Sequence, residues 1–262
     1  MCAGRFSVAK SIEPAQPSDS APPLALQLWS VRDEAKADFP GTLKRLAGLG
    51  FAAVEYAGWN DHPVSRHLAW LKETGLRCAG LHVGRERLRQ DSARVLGEAL
   101  EIGAPMVICP WWPPEELKTE QACALAGEEL GRWAQSFREK GVRFGFHNHG
   151  HEVAEVAGKR ILNRFLEVAG PDLEIQLDVY WAKVGGVDPV GYLRELGSRI
   201  GSLHLKDQKE LGGGPVDLAA VVRAGRGLNH LVAWVVEQEE FSGTVWDGIA
   251  ASARYAKNLL SS

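Results

Sequence analysis

The sequence predicts one closed barrel of eight parallel strands, each followed by a helix, and three observations support this fold class. The chain has 262 residues, close to the roughly 250 that a single-domain (β/α)8 TIM barrel needs. From Leu24 onward, short apolar runs alternate with amphipathic segments, and no linker interrupts the series. No glycine-rich dinucleotide fingerprint follows the first apolar run, which disfavours an open doubly wound sheet.

Each element follows from the periodicity of its apolar residues and from its boundaries. Leu43, Leu46 and Leu49, for example, share one helical face, and Gly50 ends that segment. The predicted strands are Leu24–Trp29, Phe51–Glu55, Arg77–His82, Met106–Trp111, Arg143–His149, Glu174–Tyr180, Ser202–Lys206 and Leu231–Gln238. The predicted helices are Phe39–Leu49, Pro63–Thr74, Ser92–Ile102, Thr119–Lys140, Arg160–Val168, Pro189–Leu196, Leu218–Ala224 and Thr244–Leu260.

The amino-terminal residues 1–23 differ in composition from the barrel domain, residues 24–262. They are rich in Ser, Pro and Ala without an apolar period, which predicts a disordered arm. No apolar run is long enough to cross a membrane. Cys2 is compatible with a lipid anchor exposed by removal of a signal peptide, although a chance cysteine is the simpler interpretation. A cytoplasmic location is therefore favoured, and an exported or lipid-anchored form stays open.

Overall composition indicates an ordinary globular protein. Hydrophobic residues make up 45% and charged residues 24% of the chain. The net charge of −3 and the lack of a basic stripe argue against a nucleic-acid partner. Of the four cysteines, none lies in a CxxC pair, so neither a zinc knuckle nor a redox motif is indicated. Cys78 and Cys109 lie in apolar runs and are predicted to be small buried residues.

Polar residues recur where the predicted strands end. They are Glu55, His82, His147, Asn148, His149, Asp178, His204, Lys206, Asp207 and Glu237. The carboxyl ends of barrel strands form one face, which carries the chemistry in such folds. Carboxylates and imidazoles converging there lose hydration and repel one another unless a cation joins them. We therefore expect one divalent metal ion. Mixed ligands favour manganese, zinc, cobalt or iron, with magnesium as an alternative.

Several segments together carry a family resemblance. They are Leu26–Arg32, His147–Glu152, Leu177–Ala182, Gly186–Pro189, Leu203–Asp207 and Val235–Gln238. With them the chain resembles the sugar phosphate isomerase/epimerase family of xylose isomerase-like barrels. It is most similar to the branch with a His-Asn-His-x-x-Glu signature, here His147-Asn148-His149-Gly150-His151-Glu152. The resemblance covers about residues 24–262.

The resemblance implies a set of metal ligands. The family holds its metal with a residue of strand five and with an Asp, a His and a Glu of the next three strands, which match Asp178, His204 and Glu237. In the epimerases the strand-five ligand is a glutamate that also moves protons, and His147 occupies this place here. This difference disfavours an epimerisation with one glutamate on each face of the sugar carbon. Glu152 lies at the wrong offset to replace the missing carboxylate directly.

The expected chemistry is proton abstraction next to a carbonyl group. A metal bound to a sugar carbonyl and its adjacent hydroxyl acts as a Lewis acid, and His149, His82 or Glu237 would remove the α proton. Return of the proton elsewhere gives an isomerase or epimerase. Loss of a β-leaving group instead gives a lyase or dehydratase, and related histidine-rich barrels resemble enzymes of that kind that act on 3-keto sugars and inositol derivatives.

The remaining expectations concern the substrate and other classes of protein. A small carbohydrate is the expected partner, with Arg32, Glu55, Trp181, Lys206 and Glu152 as its predicted contacts. For Lys206, an ion pair with an acidic neighbour is the alternative. A non-catalytic sugar-binding barrel is a second hypothesis, and an abasic-site nuclease would need more metal ligands and a basic face. The oligomeric state stays open, and the resemblance is compatible with a homo-oligomer because barrels of this family are often dimers or tetramers.

Overall fold

Eight parallel strands close on themselves in the computed structural model, which describes residues 21–262. The strands are β1 Leu24–Gln27, β2 Ala53–Tyr56, β3 Arg77–His82, β4 Met106–Cys109, β5 Arg143–His147, β6 Leu173–Asp178, β7 Ile200–Leu205 and β8 Trp234–Val236. Each strand pairs in parallel with its neighbours in sequence, and β1 pairs with both β2 and β8. The predicted (β/α)8 barrel is confirmed.

A helix follows each strand and covers the outside of the barrel. The eight helices are α1 Phe39–Gly48, α2 Val64–Thr74, α3 Arg85–Ile102, α4 Glu120–Arg138, α5 Ile161–Ala169, α6 Pro189–Leu196, α7 Leu218–Gly225 and α8 Val245–Ser261. Two further short helices, Arg32–Ala37 and Val179–Val184, follow β1 and β6 at the carboxyl ends of the strands. A hairpin of two very short strands, Glu155–Val156 and Lys159–Arg160, lies between β5 and α5.

Some predicted boundaries extend too far because polar side chains start helices earlier. The sequence pattern predicts Trp29 in the first strand, but Trp29 lies in a 3-10 helix, where Gln27 accepts a hydrogen bond from its backbone N–H. The pattern also predicts Tyr180 in the sixth strand, yet Asp178 caps a helix that begins at Val179. A polar cap of this kind satisfies a helix N–H that would otherwise lack a partner.

The third helix is longer than predicted, and it contains a break. It begins at Arg85 instead of Ser92, and Asp91 inside it has the non-helical angles φ −158° and ψ 69°. Asp91 Oδ1 accepts a hydrogen bond from Arg94 N at 3.0 Å. Asp91 therefore caps the second part of the helix, and the sequence pattern reveals only that part.

The interior of the barrel is small and apolar at the bottom and polar above. A cluster of small residues fills the bottom: Ala25, Ala53, Ala79, Ala233 and Val235. Because side chains alternate along a strand, the residue two positions further on faces the same interior. Gln27 and Glu55 follow two of the alanines in this way, and Glu237 follows Val235. The polar residues of the mouth thus stand on an apolar base.

The main apolar core lies between the strands and the surrounding helices. Cys78, Cys109 and Cys123 are buried and free, as expected for small apolar side chains. Within residues 21–262, no helix is both long and apolar enough to cross a membrane. Pro23 O accepts the N–H of Trp234 at 3.0 Å, where the chain enters the barrel. The predictions about Cys2 and residues 1–20 lie outside the described residues.

Close packing of α4 on α5 gives a test of the fold. A Cβ atom on Gly131 would lie 2.4 Å from the backbone oxygen of Ala169. We expect Gly131→Ala to lower the free energy of unfolding by about 1–3 kcal/mol, because backbone atoms of α5 must move. Gly97, on exposed α3, has open space around its Cβ position. Gly97→Ala should instead raise stability by about 0.5–1 kcal/mol. Urea unfolding measures both, and equal effects would contradict the packing.

Candidate active site

Four buried side chains converge at the carboxyl ends of neighbouring strands. His147, Asp178, His204 and Glu237 each offer one nitrogen or oxygen atom, and these atoms lie within 4.8 Å of one another. None of the four is more than 6% exposed. The structure therefore brings together the four residues that the sequence predicts as metal ligands. His82 forms a second such group with His147 and His204.

Strand geometry explains this convergence. His147 and Asp178 are the last residues of β5 and β6, His204 is the last but one of β7, and Glu237 directly follows β8. Asp178 and His204 are paired in register across β6 and β7. Because all barrel strands run in the same direction, their final residues meet at one mouth.

Asp178 indicates that a cation fits among these residues. Its Oδ1 accepts the N–H of Trp181 at 2.8 Å, whereas its buried Oδ2 has no hydrogen-bond partner in residues 21–262. Burial raises the pKa of this carboxyl to about 7, although the charges of Lys206 and His204 oppose the rise. A buried oxygen without a donor costs free energy, which a bound cation would offset.

The two imidazoles of the cluster differ in charge. Burial lowers the pKa of His147 well below its usual range, and neighbouring His204 lowers it further. Burial also disfavours charge on His204, but the carboxylates of Glu55 and Glu237 raise its pKa to about 10. His204 Nδ1 lies 3.3 Å from Glu237 Oε2 and 3.9 Å from Asp178 Oδ2. His204 thus has acidic partners at both ring nitrogens.

Lys206 lies beside the cluster and is almost fully buried. Its Nζ donates to Glu237 Oε2 at 3.2 Å and to Glu239, and it lies 5.0 Å from the centre of the Trp181 ring. Burial disfavours its charge, but the carboxylates, Glu237 foremost, raise its pKa above the usual range. The alternative that the sequence left open for Lys206, an ion pair with an acidic neighbour, is therefore present, and Glu237 is one of its partners. Lys206 and Trp181 lie together at the mouth.

Glu55 occupies the floor beneath the ligands. Its Oε1 accepts from Gln27 Nε2 at 2.7 Å and lies 2.7 Å from His204 Nε2. Its Oε2 accepts from Gln176 Nε2 at 2.6 Å, and His82 Nε2 lies 2.9 Å from Oε1. Burial alone would raise the pKa of Glu55, but the charges and hydrogen bonds of His82 and His204 lower it below its usual range. Glu55, predicted as a substrate contact, has both oxygens occupied by protein groups.

His149 lies beside the cluster, between two tryptophans. Its ring centre is 4.8 Å from that of Trp111, 5.5 Å from that of Trp181 and 5.0 Å from that of His147. Burial lowers the pKa of His149 to about 4, so its imidazole is neutral at pH 7. Its buried Nδ1 has no hydrogen-bond partner in the described chain. His149 therefore offers an unused ring nitrogen next to the predicted ligands.

Two other predicted substrate contacts have protein partners. Glu152 is fully buried; its Oε2 accepts the backbone N–H of His149 at 2.8 Å, and its Oε1 lies 2.9 Å from His151 Nε2. Glu152 therefore supports the loop that carries His149. Arg32 is exposed; it donates to the backbone oxygen of Trp29 at 3.0 Å and stacks on that ring at 4.8 Å. In residues 21–262, neither Glu152 nor Arg32 forms a hydrogen bond or ion pair with the four-residue cluster.

Sequence reasoning missed three polar residues of the site. Gln27 and Gln176 each interrupt an apolar strand, and both are fully buried. A polar residue inside a strand covered on both faces is a signal that could have identified them. Glu239, which binds Lys206, lies on the loop after β8, and no pattern in the sequence distinguishes it from Glu240.

A parallel barrel with carboxylates and imidazoles gathered at its mouth is the architecture of a TIM-barrel enzyme. Residues 43–246 match the family described as the xylose isomerase-like TIM barrel, and the chain belongs to this family. This membership agrees with the resemblance seen in the sequence motifs.

Solved structures show the same fold. A sugar phosphate isomerase/epimerase from Parabacteroides distasonis superposes with a TM-score of 0.81 at 22% identity, over 92% of this chain and 97% of the other. A D-psicose 3-epimerase from Clostridium cellulolyticum, solved with D-tagatose, has a TM-score of 0.68 at 16% identity, over 91% of this chain and 97% of the other. At these identities the similarity concerns the fold.

One curated relative is similar in sequence. The inosose dehydratase of Geobacillus kaustophilus is 28% identical over 188 residues. The match includes 63% of this chain and 60% of that protein. This chain thus spans less than two thirds of the length of that relative.

The predicted ligand set can be tested with Asp178→Asn. The amide keeps an oxygen that can cap the helix after β6 but removes the anionic oxygen. We expect binding of Mn²⁺ or Zn²⁺ to fall from one equivalent to none in equilibrium dialysis followed by metal analysis. Asp188→Asn is the matched control, because Asp188 also caps a helix, accepting from Gly191 N at 2.9 Å, but is exposed. Full occupancy in Asp178→Asn would exclude the site.

Proposed function

We propose that this protein is a metal-dependent enzyme that removes the proton α to the carbonyl of a sugar or keto-sugar, and that it acts as an isomerase or epimerase. The observation that carries the proposal is the buried cluster His147, Asp178, His204 and Glu237 beside the free imidazole of His149. Membership in the xylose isomerase-like family agrees with a sugar substrate.

The four clustered residues would hold one divalent cation. Two imidazoles and two carboxylates suit manganese, zinc, cobalt or iron better than magnesium, which prefers oxygen ligands. When bound, the ion would act as a Lewis acid that polarises the substrate carbonyl and so acidifies the neighbouring C–H group.

His149 is the proposed general base. The other two predicted bases already have protein partners. Glu237 contacts His204 and Lys206. His82 Nε2 lies 2.7 Å from Gln176 Oε1. Nδ1 of His149 has no hydrogen-bond partner within residues 21–262, so this nitrogen is free to accept a proton from a substrate carbon.

A wall of side chains beside His149 would orient the sugar. Trp111 and Trp181 flank the imidazole, and Lys206 Nζ lies over the Trp181 ring. Aromatic faces pack on the C–H faces of sugars, while the Lys206 ammonium would donate to a substrate oxygen. Glu239 and Glu237 balance the charge of Lys206, so the amino group stays charged and acts as a donor, not as a second base.

A second candidate function is β-elimination, as in a lyase or dehydratase that acts on a keto-sugar or inositol derivative. The presence of His147 where the epimerases carry a glutamate favours it, because the site then has no second carboxylate base for the opposite face of the carbon. Similarity to an inosose dehydratase supports this alternative. In both reactions His149 removes the α proton, and they differ only in what leaves or returns.

The test is solvent exchange with defined compounds. Protein loaded with Mn²⁺ is incubated in D₂O with D-tagatose and, separately, with an inosose, and both are followed by NMR and mass spectrometry. We expect deuterium at the carbon next to the carbonyl. A new sugar isomer would indicate isomerase or epimerase activity, and loss of water would indicate elimination. Binding without exchange or turnover would instead support a non-catalytic sugar-binding barrel.

The role of His149 has its own test in the same assay. We expect His149→Gln to lower the exchange rate by about 10²–10⁴-fold, the usual contribution of a general base. Metal content should be unchanged, because His149 is not one of the four clustered residues. His62→Gln, at an exposed imidazole that packs on Trp70, is the control and should keep the wild-type rate. Wild-type exchange in His149→Gln would assign the base elsewhere.

A further inference from the structure

Beneath the clustered ligands, a buried carboxylate and a buried amide contact each other. Glu55 Oε2 and Gln176 Nε2 are 2.6 Å apart, and both residues are fully buried. Gln176 also contacts His147 Nδ1 at 3.1 Å, and Glu55 contacts His204 Nε2 at 2.7 Å. Each member of the pair therefore touches one of the two clustered imidazoles.

The direction of these hydrogen bonds is fixed from outside the pair. The backbone N–H of Trp29 donates to Gln27 Oε1 at 3.1 Å, so the amide nitrogen of Gln27 must face Glu55 Oε1. Glu55 thus accepts from Gln27 at Oε1 and from Gln176 at Oε2, as an ionised carboxylate that only accepts. Gln176 must then point its nitrogen at Glu55 and its oxygen Oε1 at the imidazoles.

Each imidazole is thereby given one defined donor nitrogen. Because Gln176 Oε1 can only accept, His147 must carry its proton on Nδ1, which leaves the lone pair on Nε2. Because Glu55 Oε1 only accepts, His204 must carry a proton on Nε2, and its Nδ1 faces Glu237 and Asp178. The two histidines therefore present different ring nitrogens.

We propose that Glu55 and Gln176 are positioning residues that fix the tautomers of the two imidazole ligands, so that His147 binds a divalent cation through Nε2 and His204 through Nδ1. The inference rests on the metal centre of the proposed function. Carboxylate and amide partners of this kind orient ligating histidines and increase their basicity.

The first experiment uses the wild-type protein alone. Two-bond ¹H–¹⁵N correlation spectra of zinc-loaded, ¹⁵N-labelled protein report which ring nitrogen of each histidine is protonated. We expect a proton on Nδ1 of His147 and on Nε2 of His204. A proton on Nε2 of His147 would overturn the proposal, whatever the variants do.

The second experiment measures zinc affinity by competition with a chromophoric chelator. We expect Gln176→Leu and Glu55→Gln to weaken binding by about 10–100-fold, the usual effect of losing a partner of a ligating histidine. Ser202→Ala is the matched control, because Ser202 Oγ contacts Gln176 Nε2 at 3.2 Å and forms no hydrogen bond with either imidazole within residues 21–262. Its affinity should stay close to that of the wild type.

The outcomes separate this inference from the proposal on which it rests. If the wild-type protein does not bind zinc, both the metal centre and the positioning role are overturned. If the wild type binds zinc and the Gln176 and Glu55 variants bind it equally well, only the positioning role is overturned. Circular dichroism verifies that each variant is folded, and if one is not, the wild-type spectra decide.

Discussion

The mouth of this barrel depends on one constraint, the burial of several ionisable groups within reach of one another. Asp178, Glu237 and Glu55 are carboxyl groups removed from water, and His204 lies between them. Transferring a single charge out of water is unfavourable unless opposite charge or donors compensate it. The site satisfies this requirement with His204 and Lys206, and it leaves one oxygen of Asp178 without a donor. That residual imbalance is the strongest physical indication of a cation.

The same constraint organises the barrel wall in layers. Glu174, Gln176 and Asp178 occupy alternate positions of β6 and so share one face. Glu174 forms an ion pair with Arg143 of the neighbouring strand, Gln176 belongs to the floor, and Asp178 belongs to the cluster. One strand therefore contributes a structural ion pair, a supporting amide and a predicted ligand in succession. Because alternate residues of a strand share one face, each step of two residues along β6 brings the side chain closer to the mouth of the barrel.

The fold and the gathering of polar side chains at its mouth could be recognised from the sequence, because both depend on local patterns. The ligand set came from the family resemblance and stays a prediction. Alternating apolar runs determine the barrel, and Asp178, His204 and Glu237 lie where predicted strands end. The roles of Glu55 and Glu152 could not be obtained in this way. Whether a buried carboxylate faces a substrate or a protein donor depends on residues far away in the chain. The partner of Glu55, for example, is His204, which lies 149 positions further along the chain. The helix start at Val179 also escaped, because the capping side chain of Asp178 overrides the surrounding apolar pattern.

Orientation of the Gln176 amide also limits which residue can stand at position 147. The amide oxygen faces this position, so a glutamate there would set one acceptor against another. Turning the amide over would relieve that conflict only by directing the same oxygen at Glu55. Exchange of imidazole for carboxylate at the end of β5 therefore demands a compensating change on β6. We therefore expect the residues at positions 147 and 176 to covary among homologues.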